Sequence, residues 1–376
     1  MEGKKFKEAC KNMEDMKVID GSIMEGGGQV LRMAVSLSCL LEKPIKITNI
    51  RGGRSKPGLK GQHLAGLRLV SEMCSGRLTG DAIDSTEITF RPGRVTGGSY
   101  SAETGTAGSV GLLLQVSLPC AMFASAPTRL TLRGGTNAAF APQIDYTLNV
   151  FRPLLERFGG NLQCDVRRRG YFPRGGGLVE ASVSPVTQLR PLELLDQGRL
   201  VGVTGAAFVA GKLPLRVADS VAAAARRRLQ AALPSVPVRV EAVRDPEGAG
   251  PASGLNLVAE TDTGCRLGGS ALGGRGATDD QVAATATDEL LRAVSAGACV
   301  DQYCQDQCVI LMALAAGRSR IRTVKPTLHT ETAIHIAERL TQAKFSVEKC
   351  DSESGDSYII ECEGIGHCRD RQDPET

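Results

Sequence analysis

Hydrophobic and polar positions along this chain follow two periods, one typical of helices and one typical of strands. Long apolar stretches with a repeat of about 3.6 residues begin near residues 26, 107 and 300, and each predicts a buried helix. Each stretch is followed by a short β-branched run, a loop, a second amphipathic helix and a pair of alternating strands. The pattern therefore predicts three copies of one helix–strand–helix–strand–strand plan.

The copies are visible in the letters themselves. They read GGGQVLRMAVSLSCLL, IKITNI and QHLAGLRLVSEM; then AGSVGLLLQVSLPCAMF, RLTLRGGTNAAFAP and QIDYTLNVFRPLLERF; then VDQYCQDQCVILMALAAG, RSRIRTVKPTLHT and ETAIHIAERLTQA. Repeated units of this kind pack around a shared axis, so their equivalent loops meet at one end. We expect Arg51 and Arg54, the Gly134-Gly135 turn and His329 to converge there.

A further segment, residues 186–297, separates the second copy from the third. It reads strand, helix, strand, strand, helix, which predicts a smaller inserted α/β domain. The fold class is therefore α/β (α+β), with three repeated units and one insert. The predicted domains are a three-repeat domain at 18–185 and 298–366, the insert at 186–297, and flexible ends at 1–17 and 367–376.

Composition narrows the class of protein without giving its function. Hydrophobic residues are 42% and charged residues 23%, as in soluble globular proteins, and the net charge of +4 requires any basic site to be local. Gln115 and Pro119 favour a buried helix over a membrane span for the apolar segment 108–126, and no secretory signal is visible. Twelve cysteines without a signal predict reduced thiols, and without a CxxC pair they predict no structural zinc.

Two of the four histidines lie in the segment TLHTETAIH. We expect His329 just before a helix capped by Thr330 or Thr332, where the helix N-terminus favours a bound phosphate. The same field disfavours an imidazolium, and a neutral imidazole beside phosphate is a competent nucleophile. The alternative is a loop histidine bonded to backbone. His335, between two isoleucines, predicts a half-buried structural residue, whereas His63 near a glycine loop either contacts an anion or packs.

Polar residues interrupt two of the apolar helices. Tyr303, Asp306 and Gln307 are spaced i, i+3, i+4, so we expect them on one helix face. They either contact a nucleotide, with Asp306 orienting His329 or a metal, or face water. Gln115 lies in the middle of a long apolar run, so its amide needs a partner, either a nucleotide or neighbouring backbone.

Glycines and arginines suggest anion sites. The segment Glu25-Gly-Gly-Gly-Gln29 is a weak match to a phosphate-binding glycine loop and lacks the dinucleotide spacing. Arginine forks suit terminal phosphates. The basic group on two loops consists of Arg32, Arg51, Arg54, Lys56 and Lys60. A second cluster, which is either a nucleic-acid groove or a solvated hairpin, consists of Arg167, Arg168, Arg169, Tyr171 and Arg174.

Taken together, several segments resemble the RNA 3′-terminal phosphate cyclases over about Val18–Gly366. They are DGSIMEGGGQVLR, RGGRSKPGLKGQHLAGL, STEITFRPG, GGTNAAFAPQIDY, RGYFPRGGG, DQYCQDQ and TLHTETAIHIAE. The resemblance implies three βαβαβ-type units around a pseudo-threefold axis with a small inserted α/β domain, in agreement with the repeat pattern. It also implies an ATP-dependent ligase that converts an RNA 3′-phosphate into a 2′,3′-cyclic phosphate through a histidine–AMP intermediate.

The resemblance assigns roles by position. His329 matches the nucleophile, and Glu25 matches an acidic residue near a Mg²⁺ or Mn²⁺ ion and the triphosphate. The positions that match ATP contacts are Gln115, Pro142, Tyr303, Asp306 and Gln307. Those that match residues around the RNA end or the phosphates are Arg32, Arg51, Arg54 and Gln62.

Two other functions stay open at this point. A ribosome-assembly relative of the same fold lacks the nucleophile, and His329 with the DQYCQDQ segment argues against it. A transferase of similar αβ units would act on a small phosphorylated metabolite. The eukaryote-like match predicts the nucleus (nucleoplasm), with the cytoplasm as an alternative. The RNA substrates, and whether the chain forms a homodimer, stay open.

Overall fold

The computed structural model describes residues 16–248, 250–350 and 356–369. Most of the two predicted flexible ends lies outside these residues. The first repeated unit contains two helices and a four-stranded sheet. Its elements are β1 (Lys17–Asp20), α1 (Gly28–Leu41), β2 (Ile45–Thr48), α2 (Gly61–Met73), β3 (Arg77–Thr79) and β4 (Ile88–Arg91).

The second unit repeats this order. Its elements are β5 (Gly98–Glu103), α3 (Val110–Met122), β6 (Thr128–Gly134), the helix α4, β7 (Leu162–Arg168) and β8 (Gly177–Val183). Helix α4 is α-helical at Ile144–Tyr146 and Arg152–Arg157 and π-helical between them, at Thr147–Phe151. The long apolar segment 108–126 is thus a buried helix, as predicted. No helix in the described residues has the length and apolarity of a bilayer span.

The third unit is split by the insert. It begins with β9 (Glu193–Leu194), which lies inside the range assigned to the insert from the sequence. The insert follows as β10 (Leu200–Ala210), α5 (Leu215–Ala232), β11 (Val238–Asp245), β12 (Ala252–Thr261), β13 (Arg266–Leu272) and α6 (Asp279–Ser295). The unit then resumes with α7 (Gln305–Leu314), β14 (Arg318–Val324), α8 (Leu328–Leu340), β15 (Lys344–Lys349) and β16 (Ser357–Glu363).

The sheets of the three units have one topology. In each, the first strand runs parallel to the second, the second antiparallel to the fourth, and the fourth antiparallel to the third. This order confirms the three repeats and adds an opening strand to each unit that the hydrophobic pattern missed. The opening strands are edge strands with few buried apolar residues, β5 being GSYSAE, so they carry little pattern.

Two apolar cores hold the elements together. One runs through all three units, with α1 packed against α3 and α8, and with every residue of α7 buried. The other lies in the insert, whose strand order is β11-β10-β12-β13, beneath the packed helices α5 and α6. The exact domain boundaries stay a prediction, although the separate core agrees with an inserted unit.

Candidate active site

A cleft of about 820 Å³ lies between the three-unit body and the insert. Its volume is in the range of small-molecule sites. The body contributes Arg32, Gln115, the loop 138–143, Gln302, Tyr303, Asp306, Thr327 and His329. The insert contributes Ser270–Leu272 from β13 and Gln281, Val282, Thr285, Glu289 and Arg292 from α6. Three distant parts of the chain and the insert therefore form one cavity.

His329 lies exposed in the first turn of α8, which begins at Leu328. The helix is capped by Thr327, whose hydroxyl accepts a hydrogen bond from the Thr330 backbone N–H at 3.2 Å. The prediction that His329 precedes the helix, with Thr330 or Thr332 as the cap, is therefore wrong. Thr327 has the extended backbone a cap requires, whereas the other two threonines are inside the helix and buried.

The turn that carries His329 is fixed by a buried amide from α7. Gln305 is fully buried, and its Oε1 accepts from the Thr327 N–H at 2.8 Å and the Thr330 hydroxyl at 2.6 Å. Its Nε2 donates to the Thr323 hydroxyl at 3.0 Å. A buried amide with these three partners leaves the first turn of α8 little freedom to move.

Charged groups from the first and third units interact around the cleft. Burial raises the pKa of the Asp306 carboxyl, while Arg32 and His329 favour its ionised form. Burial lowers the pKa of Arg32, while Asp306 and Glu25 favour its charged form. The Arg32 Nε is buried without a hydrogen-bond partner among the described residues. An unpaired buried guanidinium nitrogen indicates a site that an anion can complete.

Glu25 interacts with Arg32 from outside the cleft lining. Its side chain is buried and forms an ion pair with the more exposed Arg54, and its second carboxylate oxygen, Oε2, is buried without a partner in the described part of the chain. Its backbone N–H donates to the Thr332 hydroxyl of α8 at 3.2 Å. The loop before α1 therefore contacts the helix of His329 and, through Glu25, also holds Arg54.

Gly28, the first residue of α1, makes room for the side chains of His63 and Arg32. A β-carbon on Gly28 would lie 2.8 Å from Nε2 of His63 and 2.9 Å from Nη1 of Arg32. His63 accepts a hydrogen bond at Nδ1 from the Lys60 N–H. Burial and the positive charges of Arg32, Arg51 and Lys60 lower the pKa of His63 to about 3. The ring is therefore neutral and packed against the start of α1.

Arg51 and Gln62 lie near this histidine and do not line the cleft. Nη1 of Arg51 donates to the carbonyls of Lys56 and Gly58, at 2.6 and 3.0 Å. Oε1 of Gln62 accepts from the Ser109 N–H at 3.1 Å. Gln62 and His63 border a cavity of about 20 Å³ that Arg32 also borders. Arg32 thus borders both the cleft and the space beside α2, the helix that follows the loop of Arg51 and Arg54.

The Gly134-Gly135 turn does not contribute polar groups to the cleft, contrary to the prediction. The Gly135 N–H donates to the Gly108 carbonyl at 2.7 Å, and its carbonyl accepts from the Val110 N–H at 2.9 Å. These bonds hold the start of α3. The second unit instead reaches the cleft through Gln115, half-buried on α3, and the loop that includes Pro142.

Tyr303 and Gln307 differ in position. Tyr303 precedes α7, so the prediction of one shared helix face is wrong, because the helix begins only at Gln305. Its hydroxyl donates to Oε1 of Glu289 in the insert at 2.6 Å, and Oε2 of Glu289 accepts from the Ser270 N–H at 3.2 Å. Gln307 donates to the Tyr303 carbonyl at 2.7 Å and lies outside the cleft lining.

A second buried link joins the body to the insert. Asp301 is almost fully buried; its Oδ1 accepts from the Tyr146 hydroxyl at 2.5 Å and its Oδ2 from the Gly268 N–H at 2.7 Å. Burial raises the pKa of this carboxyl, and the hydrogen bonds oppose that effect. Sequence patterns did not single out Asp301, Glu289 or Gln305. The sequence showed only that these residues are polar and lie at or beside apolar helices. It did not indicate which groups they bind.

The arginine-rich hairpin is largely structural. Arg169 forms an ion pair with Asp145, and Arg167 pairs with Glu180. Tyr171 is buried, and its hydroxyl donates to Asp245 at 2.9 Å. The hypothesis of a nucleic-acid groove formed by this whole cluster is therefore not supported for these three residues. Among the remaining histidines, His335 is half-buried inside α8, as predicted.

Comparisons with known proteins agree over nearly the whole chain. The family model for "RNA 3'-terminal phosphate cyclase" matches residues 23–347. A protein of that name from Pyrobaculum neutrophilum is 41% identical over 349 residues, which are 93% of this chain and 99% of the relative. One from Drosophila melanogaster is 39% identical over 356 residues, covering 94% and 98% of the two chains. One from Methanopyrus kandleri is 39% identical, covering 89% and 96%.

Proposed function

This chain belongs to the RNA 3′-terminal phosphate cyclase family, and we propose that it converts RNA 3′-phosphates to 2′,3′-cyclic phosphates through AMP bound to His329. The observation that carries the proposal is the shared cleft. His329 is the exposed nucleophile candidate there, and Arg32 borders the same space with an unpaired buried nitrogen. A nucleophile beside an anion site of this size suits nucleotidyl transfer.

In the first step, an imidazole nitrogen of His329 attacks the α-phosphorus of ATP. A P–N bond forms, the bond to the bridging oxygen breaks, and pyrophosphate leaves. Asp306 interacts electrostatically with His329 and stabilises the positive charge that develops on the ring as the P–N bond forms. Arg32 stabilises negative charge on the phosphate oxygens, because water screens the interaction of a buried guanidinium with an anion only weakly.

In the second step, an oxygen of the RNA 3′-phosphate attacks the phosphorus of the AMP. The P–N bond breaks and an RNA–adenylate forms. The neighbouring 2′-hydroxyl then attacks the activated 3′-phosphorus, its proton is lost, and AMP leaves with the electron pair of the broken P–O bond. Adenylation is needed because a 3′-phosphate alone has no good leaving group. The proposed contacts of the RNA end are Arg51, Arg54 and Gln62. Of these, Gln62 borders the same small cavity as Arg32.

The proposed ATP contacts are Gln115, Pro142, Tyr303, Asp306 and Gln307. All except Gln307 line the cleft. Gln307 acts through Tyr303, whose carbonyl accepts its amide hydrogen. The flat Tyr303 ring and the Pro142 ring are suitable neighbours for a nucleobase.

Glu25 fits a role beside Mg²⁺ or Mn²⁺. Its Oε2 is buried and lacks a partner among the described residues, and Mg²⁺ commonly uses one or two carboxylates together with substrate phosphates. Within the described residues, no group of three or more His, Cys, Asp or Glu side chains is arranged to hold a metal by itself. When bound, such an ion would neutralise the departing pyrophosphate.

The test is labelling with ATP that carries radioactive α-phosphate, followed by peptide mapping. We expect an acid-labile label on His329, none on His329→Ala, and a near-normal amount on His335→Ala, which changes a half-buried residue of the same helix. Label on wild-type protein that survives in His329→Ala would reject the mechanism. Absence of label from the wild type would favour a binding protein. Turnover of small phosphorylated metabolites in place of RNA would favour the metabolite transferase.

We also propose that the protein acts in the nucleus, the location expected from the sequence resemblance; the relatives from Pyrobaculum neutrophilum and Drosophila melanogaster match the chain about equally, so localisation needs a test of its own. Fractionation of cells into nuclear and cytoplasmic extracts, followed by immunodetection, tests this proposal. Whether the chain forms a homodimer is a separate question for sedimentation analysis.

A further inference from the structure

Two phenylalanines are the most exposed large hydrophobic side chains in the described part of the chain. Phe140 is 107% exposed and Phe172 is 77% exposed, whereas the next, Val201, is 56% exposed. A single exposed apolar side chain is ordinary, but two aromatic rings exposed to this degree on adjacent loops indicate a ligand. Neither ring has a role in the mechanism proposed above.

The two phenylalanines lie on neighbouring loops. Asn137 and Tyr171 are paired as a parallel bridge, and the Thr136 N–H donates to the Gly170 carbonyl at 2.9 Å. Phe140 follows Asn137 by three residues, and Phe172 directly follows Tyr171. The loops that carry the phenylalanines therefore run side by side.

Both loops are firmly anchored. Arg169 donates to the two carboxylate oxygens of Asp145 at 2.5 and 2.7 Å and to Asn137 at 3.3 Å. The Tyr171 ring stacks on Phe208 with a centroid distance of 5.7 Å. Arg169 and Tyr171, which the sequence suggested as part of a nucleic-acid groove, thus hold the two loops in place. Rigid supports reduce the entropy lost when exposed rings bind a partner.

Phe140 also borders the cleft of His329. Its backbone is left-handed, with φ of +62°, a conformation that is uncommon for residues other than glycine and that often marks a functional position. Arg174, which follows Phe172 by two residues and is also exposed, adds positive charge to this loop. Aromatic rings next to a cation are the usual elements of a single-strand binding surface.

We propose that Phe140 and Phe172 form a stacking platform for unpaired nucleobases of the RNA, upstream of its 3′-phosphate. The proposal rests on the proposed function, which places the terminal phosphate in the cleft. The RNA strand must then leave through the mouth, where Phe140 lies. The adenine of ATP is a poorer candidate, because a ring that touches almost nothing of the protein cannot enclose a base.

The test is binding of a fluorescent, 3′-phosphorylated ten-nucleotide oligoadenylate to the full chain, followed by anisotropy. We expect the double variant Phe140→Ala with Phe172→Ala to weaken binding by about fivefold to a hundredfold, the range for loss of one stacked base. Phe140→Tyr with Phe172→Tyr keeps both rings and should bind like the wild type. Ile83→Ala and Val201→Ala remove exposed apolar side chains elsewhere and should have no effect.

Unchanged RNA affinity in the double alanine variant would overturn the platform. An equal loss of affinity in the tyrosine variant would also overturn it, because the rings would then not be the binding element. If AMP labelling in the absence of RNA fell as much as RNA binding, the rings would serve the nucleotide instead, which again contradicts the proposal. Because RNA binding is measured without ATP, failure of AMP labelling in the wild type would reject the proposed function and leave this result interpretable.

Discussion

At the scale of single residues, the main feature of the site is a neutral histidine, His63, packed close to the charged Arg32. His63 is held neutral beside three cations, with its Nε2 against the start of α1. Sequence reasoning left this histidine between an anion contact and a packing role. The structure shows a packed ring.

The low pKa of His63 predicts a loss of stability in acid. The folded protein holds His63 unprotonated down to about pH 3, whereas the unfolded chain binds a proton below about 6.5. Stability from this residue is therefore complete above pH 6.5 and falls by about 1.4 kcal/mol per pH unit as the pH decreases toward 3.

Urea unfolding at pH 7 and pH 5 measures this effect. His63→Gln cannot titrate, so its unfolding free energy should decrease less between the two pH values than that of the wild type. Equal decreases in both proteins would show that other groups cause the acid sensitivity.

Gly28 predicts a second residue-scale effect. A methyl group there would meet the His63 ring and the Arg32 guanidinium at under 3 Å. We expect Gly28→Ala to displace both side chains and to lower AMP labelling by about tenfold or more, since sub-ångström misplacement at a reacting centre is costly. Gly53→Ala is the control, because its β-carbon would have no neighbour within 4 Å. Similar labelling by the two variants would contradict this role for Gly28.

At the scale of elements, the start of α8 is the decisive feature. The helix begins one residue before His329 because Thr327 provides the cap and Gln305, from α7, binds that turn. The amphipathic pattern predicted the helix itself. Its first residue could not be predicted, because three threonines are candidates for the cap, and a buried amide on the preceding helix of the same unit selects Thr327.

Gln305→Ala tests this view of the helix start. The change removes the acceptor of the Thr327 N–H and one hydrogen bond each from the hydroxyls of Thr323 and Thr330, which should reduce the unfolding free energy by about 1–3 kcal/mol. AMP labelling, measured where the variant is still folded, should also fall because the turn of His329 loses its support. Gln163→Ala, at an exposed position on β7, is the control. Full labelling by a destabilised Gln305 variant would show that the amide serves stability only.

At the scale of the whole molecule, the insert is part of the active site. Its strand β13 and helix α6 form one wall of the cleft, and two carboxylates, the almost fully buried Asp301 and the half-buried Glu289, join it to the body. Burial raises the pKa of Glu289, while hydrogen bonds from Tyr303 and Ser270 oppose that effect. The link thus consists of few groups, each of which is well satisfied.

Removal of the link should weaken nucleotide binding. In Glu289→Ala the Tyr303 hydroxyl and the Ser270 N–H lose their acceptor, so we expect KM for ATP to rise by about tenfold with a smaller change in kcat. Glu289→Gln keeps one acceptor oxygen and should lie between the alanine variant and the wild type. The neighbouring Asp288→Ala removes an exposed ion pair with Arg228 and should leave KM unchanged. An unchanged KM in Glu289→Ala would contradict this account.

The sequence by itself determined the repeated elements, the buried helices, the insert and the family, because each rests on local periodicity or on contiguous letters. Gln115 was found because a polar residue stands out in an apolar run, whereas His329 and Arg32 were found from their places near a helix start and a glycine loop and from the family resemblance. Only the tertiary structure decided which groups come together: Gln305 with the start of α8, Glu289 with Tyr303, and the loop of Phe140 with the loop of Phe172. These contacts join residues on different elements, and their energies depend on distance and burial, which no local pattern of one sequence contains.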